Sequence, residues 1–171
     1  MHINRAGDAV RQAYRRSLLE HDLAWLCGAV LRDTLPWGEG KEYSFRGFAE
    51  KYTLHDSVWV GVFYDVAYAD SAVLVIIWDA VWLPDELARS TSVVGEWPLL
   101  FIKVGGASQV SASGYKDVGG LQRGIAGAEI EEVDGTNLLV ITDHYGGSVE
   151  ITFSGALQFL ALDRDRRVLP I

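Results

Sequence analysis

The sequence predicts an α+β domain, with an N-terminal helical segment packed on a strongly twisted, mostly antiparallel sheet of about six to eight strands. Two observations predict this class. Apolar residues recur at helical spacing within residues 1–35, whereas residues 52–163 consist of strand-like runs separated by short turns. At 171 residues the chain fits a single domain, and no linker or internal repeat divides it. The pattern leaves open whether the sheet closes partly into a barrel.

The helical segment is indicated by apolar residues three and four positions apart. One set lies within residues 10–18, and a second set, within residues 23–31, continues with a shifted face. Asp22 is suited to cap a second helix, so the pattern fits one helix or two. We expect the helix to end by Leu35, because Pro36 disfavours helical geometry in the residue before it.

Residues 58–68 and 72–83 predict a long hairpin with its turn at Ala69 and Asp70. In the first run, every second residue from Val58 onwards shares one face. The second run is apolar on both faces, which is typical of a central strand that is covered on both sides. The N-terminal helix is the expected cover for one of these faces.

The residues after the hairpin carry weaker signals. Residues 84–90 begin with a proline and two acids, which favours a short helical turn. Residues 97–104 predict another strand. Residues 105–124 are rich in Gly and Ser, and they fit either a long loop or a weak, bulged strand.

The last third of the chain predicts a meander. Three strands are expected, with tight turns between them at residues 134–137 and 146–147: 125–133, 138–145 and 148–153. Gly155 is expected to mark a bulge. Three apolar residues after it should complete the core: Leu157, Phe159 and Leu162.

Charge and composition argue against several classes of protein. The formal net charge is −8 and no basic stripe follows residue 16, so no nucleic-acid binding is expected. The longest apolar run, residues 72–78, is too short for a membrane span, and the N-terminus lacks a secretory pattern. We therefore expect a cytoplasmic protein without membrane contact. Cys27 lies in an apolar helical run, where a buried, unreactive thiol is expected.

Three of the four histidines stand beside an aspartate: His21-Asp22, His55-Asp56 and Asp143-His144. An imidazole and a carboxylate can together bind a metal ion or act as a base with its orienting partner. However, adjacent residues on a strand point to opposite faces, so His55 and Asp56 would not share a ligand in regular β structure. The simpler interpretation is that Asp56 closes the turn before the strand while His55 packs at the strand edge.

No catalytic residue, metal ligand or cofactor is assigned from the sequence. The paired glycines lack the features of a phosphate loop and are interpreted as turns. Asp79 interrupts an apolar strand, and it becomes a site candidate if it is buried beside His55 or Arg46. It fits equally well as the point where the strand emerges into solvent. Glu129 and Glu131 share a strand face, where an exposed acidic surface discourages edge pairing.

Two segments carry a resemblance to known proteins. The step Leu54-His55-Asp56-Ser57 before the hairpin and the closing run at residues 147–153 resemble small bacterial immunity-type proteins of polymorphic or contact-dependent toxin systems. The resemblance implies a non-enzymatic protein that binds and blocks a cognate toxin, often through an acidic surface. It carries over no functional residues, because these families share no catalytic motif.

The leading hypothesis is therefore an acidic protein-binding module with a basic protein partner. Contact with the partner is expected from exposed acids and aromatics: Glu129, Glu131, Glu132, Asp143, Tyr145, Trp37 and Tyr115. His55, Asp56 and Asp79 are further candidates for binding. The first alternative is a small-ligand carrier with an apolar pocket between the sheet and the helix, lined by these residues: Trp59, Phe63, Trp78 or Trp82. The second is a metal-dependent hydrolase that uses His55, Asp56 and a further His or Asp.

Overall fold

Two α-helices and ten strands make up the regular structure of the described residues. The computed structural model describes residues 23–64, 70–79, 82–85, 87, 97–113 and 124–171. In chain order the structure contains α1 (Leu23–Leu31), a 3-10 turn (Trp37–Glu39), β1 (Lys41–Tyr43), α2 (Phe45–Ala49), β2 (Val58–Tyr64), β3 (Ser71–Ile77), β4 (Leu99–Gly105), β5 (Ala107–Ser113), β6 (Ile125–Val133), β7 (Thr136–Asp143), β8 (Ser148–Phe153), β9 (Leu157–Leu162) and β10 (Val168–Leu169). The predicted α+β class is confirmed, with more strands than the six to eight expected. The helical pattern of residues 10–18 and the cap at Asp22 lie outside the described residues.

The strands form two antiparallel sheets. The larger sheet has the order β1-β9-β4-β3-β2, with β10 also paired to β9, and the smaller has the order β5-β8-β7-β6. Both orders are open among the described strands, so the partial closure that the pattern left open is not found there. β3 lies between β2 and β4, as expected for a central strand.

The larger sheet is the middle of three layers. All seven residues of β3 are buried, because its two faces belong to two separate apolar clusters. On one face, Leu26, Ala29 and Val30 of α1 pack against the sheet. On the other face, the inward side chains of the smaller sheet and of α2 fill the core. Each fully buried Val, Leu or Ile contributes roughly 1.5–3 kcal/mol by leaving water, so this doubly covered sheet dominates the stability of the fold.

A β-bulge in β2 changes the predicted faces of the hairpin. The register shifts between Trp59 and Gly61, so Val58 pairs with Ile77 whereas Val62 pairs with Leu74. Val58 consequently packs on the α1 side and Val62 on the opposite side. The prediction that alternate residues from Val58 share one face was therefore wrong beyond the bulge, since one extra residue inverts the alternation.

The chain passes between the two sheets at two neighbouring crossings. β4 continues into β5 through Gly105 and Gly106, and β8 returns to β9 through Ser154 and Gly155. The two crossings are hydrogen-bonded to each other: Gly155 N–H donates to Gly105 O at 2.9 Å, and Ser154 N–H donates to Gly106 O at 3.1 Å. The positive φ of Gly106, 64°, is suited to a residue without a side chain. Gly155 thus lies in a connection between sheets, where the sequence predicted a bulge.

The turns of the meander follow the predicted chemistry. Asp134 and Gly135 both have positive φ, 52° and 77°, as a two-residue hairpin turn requires. Gly146 has φ 83° in the next turn. Of the two alternatives for residues 105–124, the bulged strand holds for β5, whose register shifts between Ala107 and Gln109. Residues 114–123 lie outside the described part of the chain.

Two predictions about the helical region were wrong. Cys27 is exposed, because Leu26, Ala29 and Val30 occupy the positions of α1 that face the sheet. Trp37, expected at a contact surface, is 9% exposed and packs in the same cluster. Tyr115, its companion in that prediction, lies outside the described residues. No helix that the structure describes is long and apolar enough to span a membrane.

A cluster of two histidines and an aspartate, and an acidic sheet face

The Leu54–Ser57 step folds as a tight turn that leads into β2. Ser57 N–H donates to Leu54 O at 3.1 Å, and His55 N–H donates to Thr53 Oγ1 at 3.1 Å. Asp56 has φ 63°, a conformation that Asp adopts more readily than most residues. Its N–H donates to Ile125 O at 2.9 Å, which ties the turn to the start of β6. The predicted turn-closing position of Asp56 agrees with this geometry.

The β7–β8 turn brings His144 to the same place. The Asp143 carboxylate accepts the N–H groups of Tyr145 and Gly147 at 2.7 and 2.8 Å, which holds this turn in shape. His144 N–H donates to Gly124 O at 3.1 Å. A Cβ at Gly124 would lie 3.1 Å from the His144 ring, so glycine leaves room for the imidazole. Asp143 therefore shapes the turn with its side chain, whereas Tyr145 is 47% exposed.

Asp56 joins the two histidines. One carboxylate oxygen, Oδ2, lies 3.1 Å from His55 Nδ1, and the other, Oδ1, lies 3.1 Å from His144 Nε2. The two imidazole rings stand nearly perpendicular, with centroids 5.5 Å apart. The side chains of His55, Asp56 and His144 are 50%, 35% and 40% exposed, so solvent and small ions can reach them. We call these three residues the His–Asp–His cluster.

The contact between His55 and Asp56 differs from the expectation that these adjacent side chains would point to opposite faces of a strand. His55 and Asp56 lie in a turn, not in regular β structure, so their side chains can converge. The third member, His144, is 88 residues away along the chain. The sequence contains the Asp143-His144 pair but gives no sign that His144 would lie beside His55. In the structure, an isolated β-bridge between Val58 and Gly124 brings the two turns together. No sequence pattern marks this bridge.

Asp79 is buried rather than emerging into solvent. It is 4% exposed, and its N–H donates to Ser57 Oγ at 2.9 Å in the interior. Ser57 is itself fully buried. The Asp79 backbone N–H therefore helps to hold Ser57, the residue that ends the turn carrying His55 and Asp56.

The acidic residues predicted for binding lie on the smaller sheet. Glu129 and Glu131 are exposed and point away from the core, since Ile130 between them packs inward. Glu129 pairs with Val140, and Val140 pairs with Glu150, so one row across the sheet carries two carboxylates. The strands of this sheet contain five acidic residues and no Lys or Arg: Glu129, Glu131, Glu132, Asp143 and Glu150. We call the side of this sheet that bears Glu129, Glu131 and Glu150 the acidic face.

A groove adjoins this face along β6. Glu132 has the opposite orientation to Glu129 and Glu131, and it lines an open groove of about 1010 Å³ between the smaller sheet and the β1–α2 segment. Glu42 and Arg46 contribute charged side chains to the opposite wall, with Tyr43 and Phe45 beside them. The groove therefore combines an apolar floor with a mainly acidic rim.

The four aromatic side chains proposed for a carrier pocket do not surround one cavity. Trp59 and Phe63 pack on opposite sides of β2, and Trp82 is 52% exposed. Trp78 is fully buried, and its Nε1–H donates to Thr53 O at 2.7 Å. The hollow beside Trp59 has a cavity volume of only about 10 Å³, whereas ligand pockets hold about 300–1,000 Å³. The carrier hypothesis gains no support from these residues.

Comparisons with known proteins place few constraints on this chain. No protein-family model matches it, and no curated protein gives a significant match. Among solved structures, the crystal structure of an uncharacterized protein from Neisseria gonorrhoeae matches over 70% of this chain and 95% of its own. The identity is 12% and the TM-score is 0.38. This similarity is too low to carry an argument about the fold or the function.

Proposed function

We propose that the protein is a non-enzymatic binding module that neutralises a basic protein partner, in the manner of the bacterial immunity-type proteins that its Leu54–Ser57 step and residues 147–153 resemble. The observation that carries this proposal is the acidic face. This face bears Glu129, Glu131 and Glu150, and the four strands β5 to β8 contain no lysine or arginine, in a chain that has 15 of these basic residues. Such segregation attracts a positively charged surface and speeds its docking.

The acidic face also offers the apolar contact that a stable interface needs. Leu138 and Val140 of β7 are half-buried beside Glu131 and Glu129 of β6, and Glu150 of β8 flanks Val140 on the other side. Interfaces combine such an apolar centre with a polar rim. The groove beside β6, with Tyr43 and Phe45 on its far wall, extends the surface around the end of the sheet. An inserted basic side chain of the partner would meet Glu132 and Glu42 there.

The proposal is tested by titrating a purified partner against matched charge variants. The protein encoded by the neighbouring gene is the first partner to try, since immunity-type proteins accompany their toxins. The double variant Glu129→Gln/Glu131→Gln removes two carboxylates from the acidic face with little change in shape. We expect its affinity to fall at least about tenfold, equivalent to about 1.4 kcal/mol, mainly through slower association.

The control is Glu39→Gln/Glu50→Gln, which removes two exposed carboxylates from the helical end of the chain. It makes the same change in net charge, so it reports the effect of overall charge alone. We expect its affinity to stay within about threefold of the unmodified protein, because Glu39 and Glu50 neither lie on the acidic face nor line the groove and salt screens exposed charges outside the contact. Equal losses in both double variants would refute a binding role for the acidic face.

A further inference from the structure

We infer that the His–Asp–His cluster is a binding site for a divalent transition-metal ion of the zinc class. This inference is independent of the proposed partner, because the cluster lies at the β2 entry turn and the β7–β8 turn rather than on the acidic face. Its ligands would be one ring nitrogen from each of His55 and His144 and one carboxylate oxygen from Asp56. Water would complete the coordination.

The spacing of the donor atoms supports this assignment. One ligand atom from each of the three residues can be chosen so that all lie within 4.8 Å of one another. Zinc binds imidazole nitrogen and carboxylate oxygen at about 2.0–2.2 Å, which places neighbouring ligands about 3.4 Å apart in a tetrahedral site. His55 Nδ1 and His144 Nε2 are each already 3.1 Å from the carboxylate. The widest of the three donor separations would have to close by no more than about 1.4 Å to fit one ion.

The electrostatics of the cluster point to a bound cation. The tautomer of each imidazole decides which ring nitrogen carries its proton. An ion would bind the unprotonated nitrogen that faces Asp56 while the proton stays on the other ring nitrogen, and the negative carboxylate would contact the positive ion. Two imidazoles select zinc, nickel, copper or cobalt over calcium and magnesium, which prefer sites made of oxygen ligands alone.

The backbone around the cluster is held in place by its own hydrogen bonds. Asp56 N–H donates to Ile125 O and Ile125 N–H donates to Ser57 O, at 2.9 and 2.7 Å, while His144 N–H donates to Gly124 O at 3.1 Å. The three side chains are thus carried by turns that are fixed to the same stretch of chain. Such preorganisation lowers the entropic cost of binding an ion. The ion would link the entry to β2 with the β7–β8 turn and so tie the two sheets together.

The test is calorimetric titration of Zn²⁺ into untagged, EDTA-treated protein, with Co²⁺ absorption as a second readout. We expect one ion per chain, and a visible Co²⁺ spectrum typical of nitrogen and oxygen ligands. His144→Ala and Asp56→Asn should each weaken Zn²⁺ binding at least about tenfold, the range seen when groups around a metal are lost. At a hundredfold excess of Zn²⁺ over its Kd, the melting temperature should rise by roughly 5 °C or more in the unmodified protein, and by about half as much or less in His144→Ala and Asp56→Asn.

Asp70→Asn is the matched control for Asp56→Asn. Asp70 has the same φ of 63°, lies in an exposed turn, and is not part of the cluster. Asn tolerates this conformation as Asp does, so both variants should keep their backbone, and their metal-free melting temperatures check this directly. The inference is overturned if Zn²⁺ binds with less than one ion per chain, or if Asp56→Asn and His144→Ala bind it as tightly as Asp70→Asn does.

Discussion

Asp56 takes part in both the backbone and the side-chain structure of one turn. Its positive φ and its N–H bond to Ile125 place the turn against β6, while its two carboxylate oxygens contact His55 and His144. The sequence predicted the turn, because short polar residues favour such positions. It could not predict the contact with His144, since that depends on two turns meeting through the fold.

Tyr52 gives a pH-dependent prediction in the aromatic cluster beneath this turn. Its ring contacts Trp78 and Phe48 at centroid distances of 5.4 and 5.1 Å. Burial, and to a lesser extent the neighbouring Tyr43, raises the pKa of Tyr52 above its ordinary value of 10.0. The folded protein therefore holds this proton more tightly than the unfolded chain does.

The direction in which stability changes with pH follows from the linkage between Tyr52 protonation and folding. Below pH 10 Tyr52 is protonated in both states and its contribution to stability is complete. As the pH rises from there through the folded-state pKa, the unfolded chain ionises first and stability is lost. We expect the unfolding free energy of Tyr52→Phe, measured by urea unfolding, to fall less as the pH rises above 10 than that of the unmodified protein does. Parallel losses in the two proteins would contradict the assignment.

The strands and helices differ in how far their sequences predict them. β3 and β6 were predictable, because an unbroken apolar run and a clear hairpin turn define them. β1, α2 and β10 were missed, since they are only 3, 5 and 2 residues long. The start of α2 could have been predicted, because Ser44 is a favourable N-cap residue. In the structure its Oγ accepts the Gly47 N–H at 3.0 Å. The bulge in β2 left no clear mark, since it arises from the pairing of the strands.

The crossings between the sheets lead to a prediction about Gly155. A Cβ at this position would lie 2.6 Å from Gly105 O, a contact with backbone that cannot move aside easily. We expect Gly155→Ala to lower the unfolding free energy by about 1–3 kcal/mol, measured by urea denaturation. Gly61→Ala is the control, because a Cβ there meets nothing within 4 Å. Equal stability of the two variants would show that the backbone at the crossings can shift to admit a methyl group, which would contradict this prediction.

The three layers separate the buried core from the proposed binding surface. The central strand β3 is buried on both faces and was well predicted, because its unbroken apolar run is dictated by burial. The smaller sheet faces the core on one side and solvent on the other, and its exposed side carries carboxylates whose role no burial pattern reveals. Sequence alone therefore predicts what holds the protein together better than what it binds.

Hydrogen–deuterium exchange of the complex with its purified partner tests the binding role of the acidic face most directly. We expect the partner to slow exchange in β6, β7 and β8, because docking on the acidic face shields these strands from solvent. Exchange in α1 should remain unchanged, since that helix covers the opposite side of the central sheet. Slowed exchange in α1 with no change in β6 to β8 would contradict docking of the partner on the acidic face.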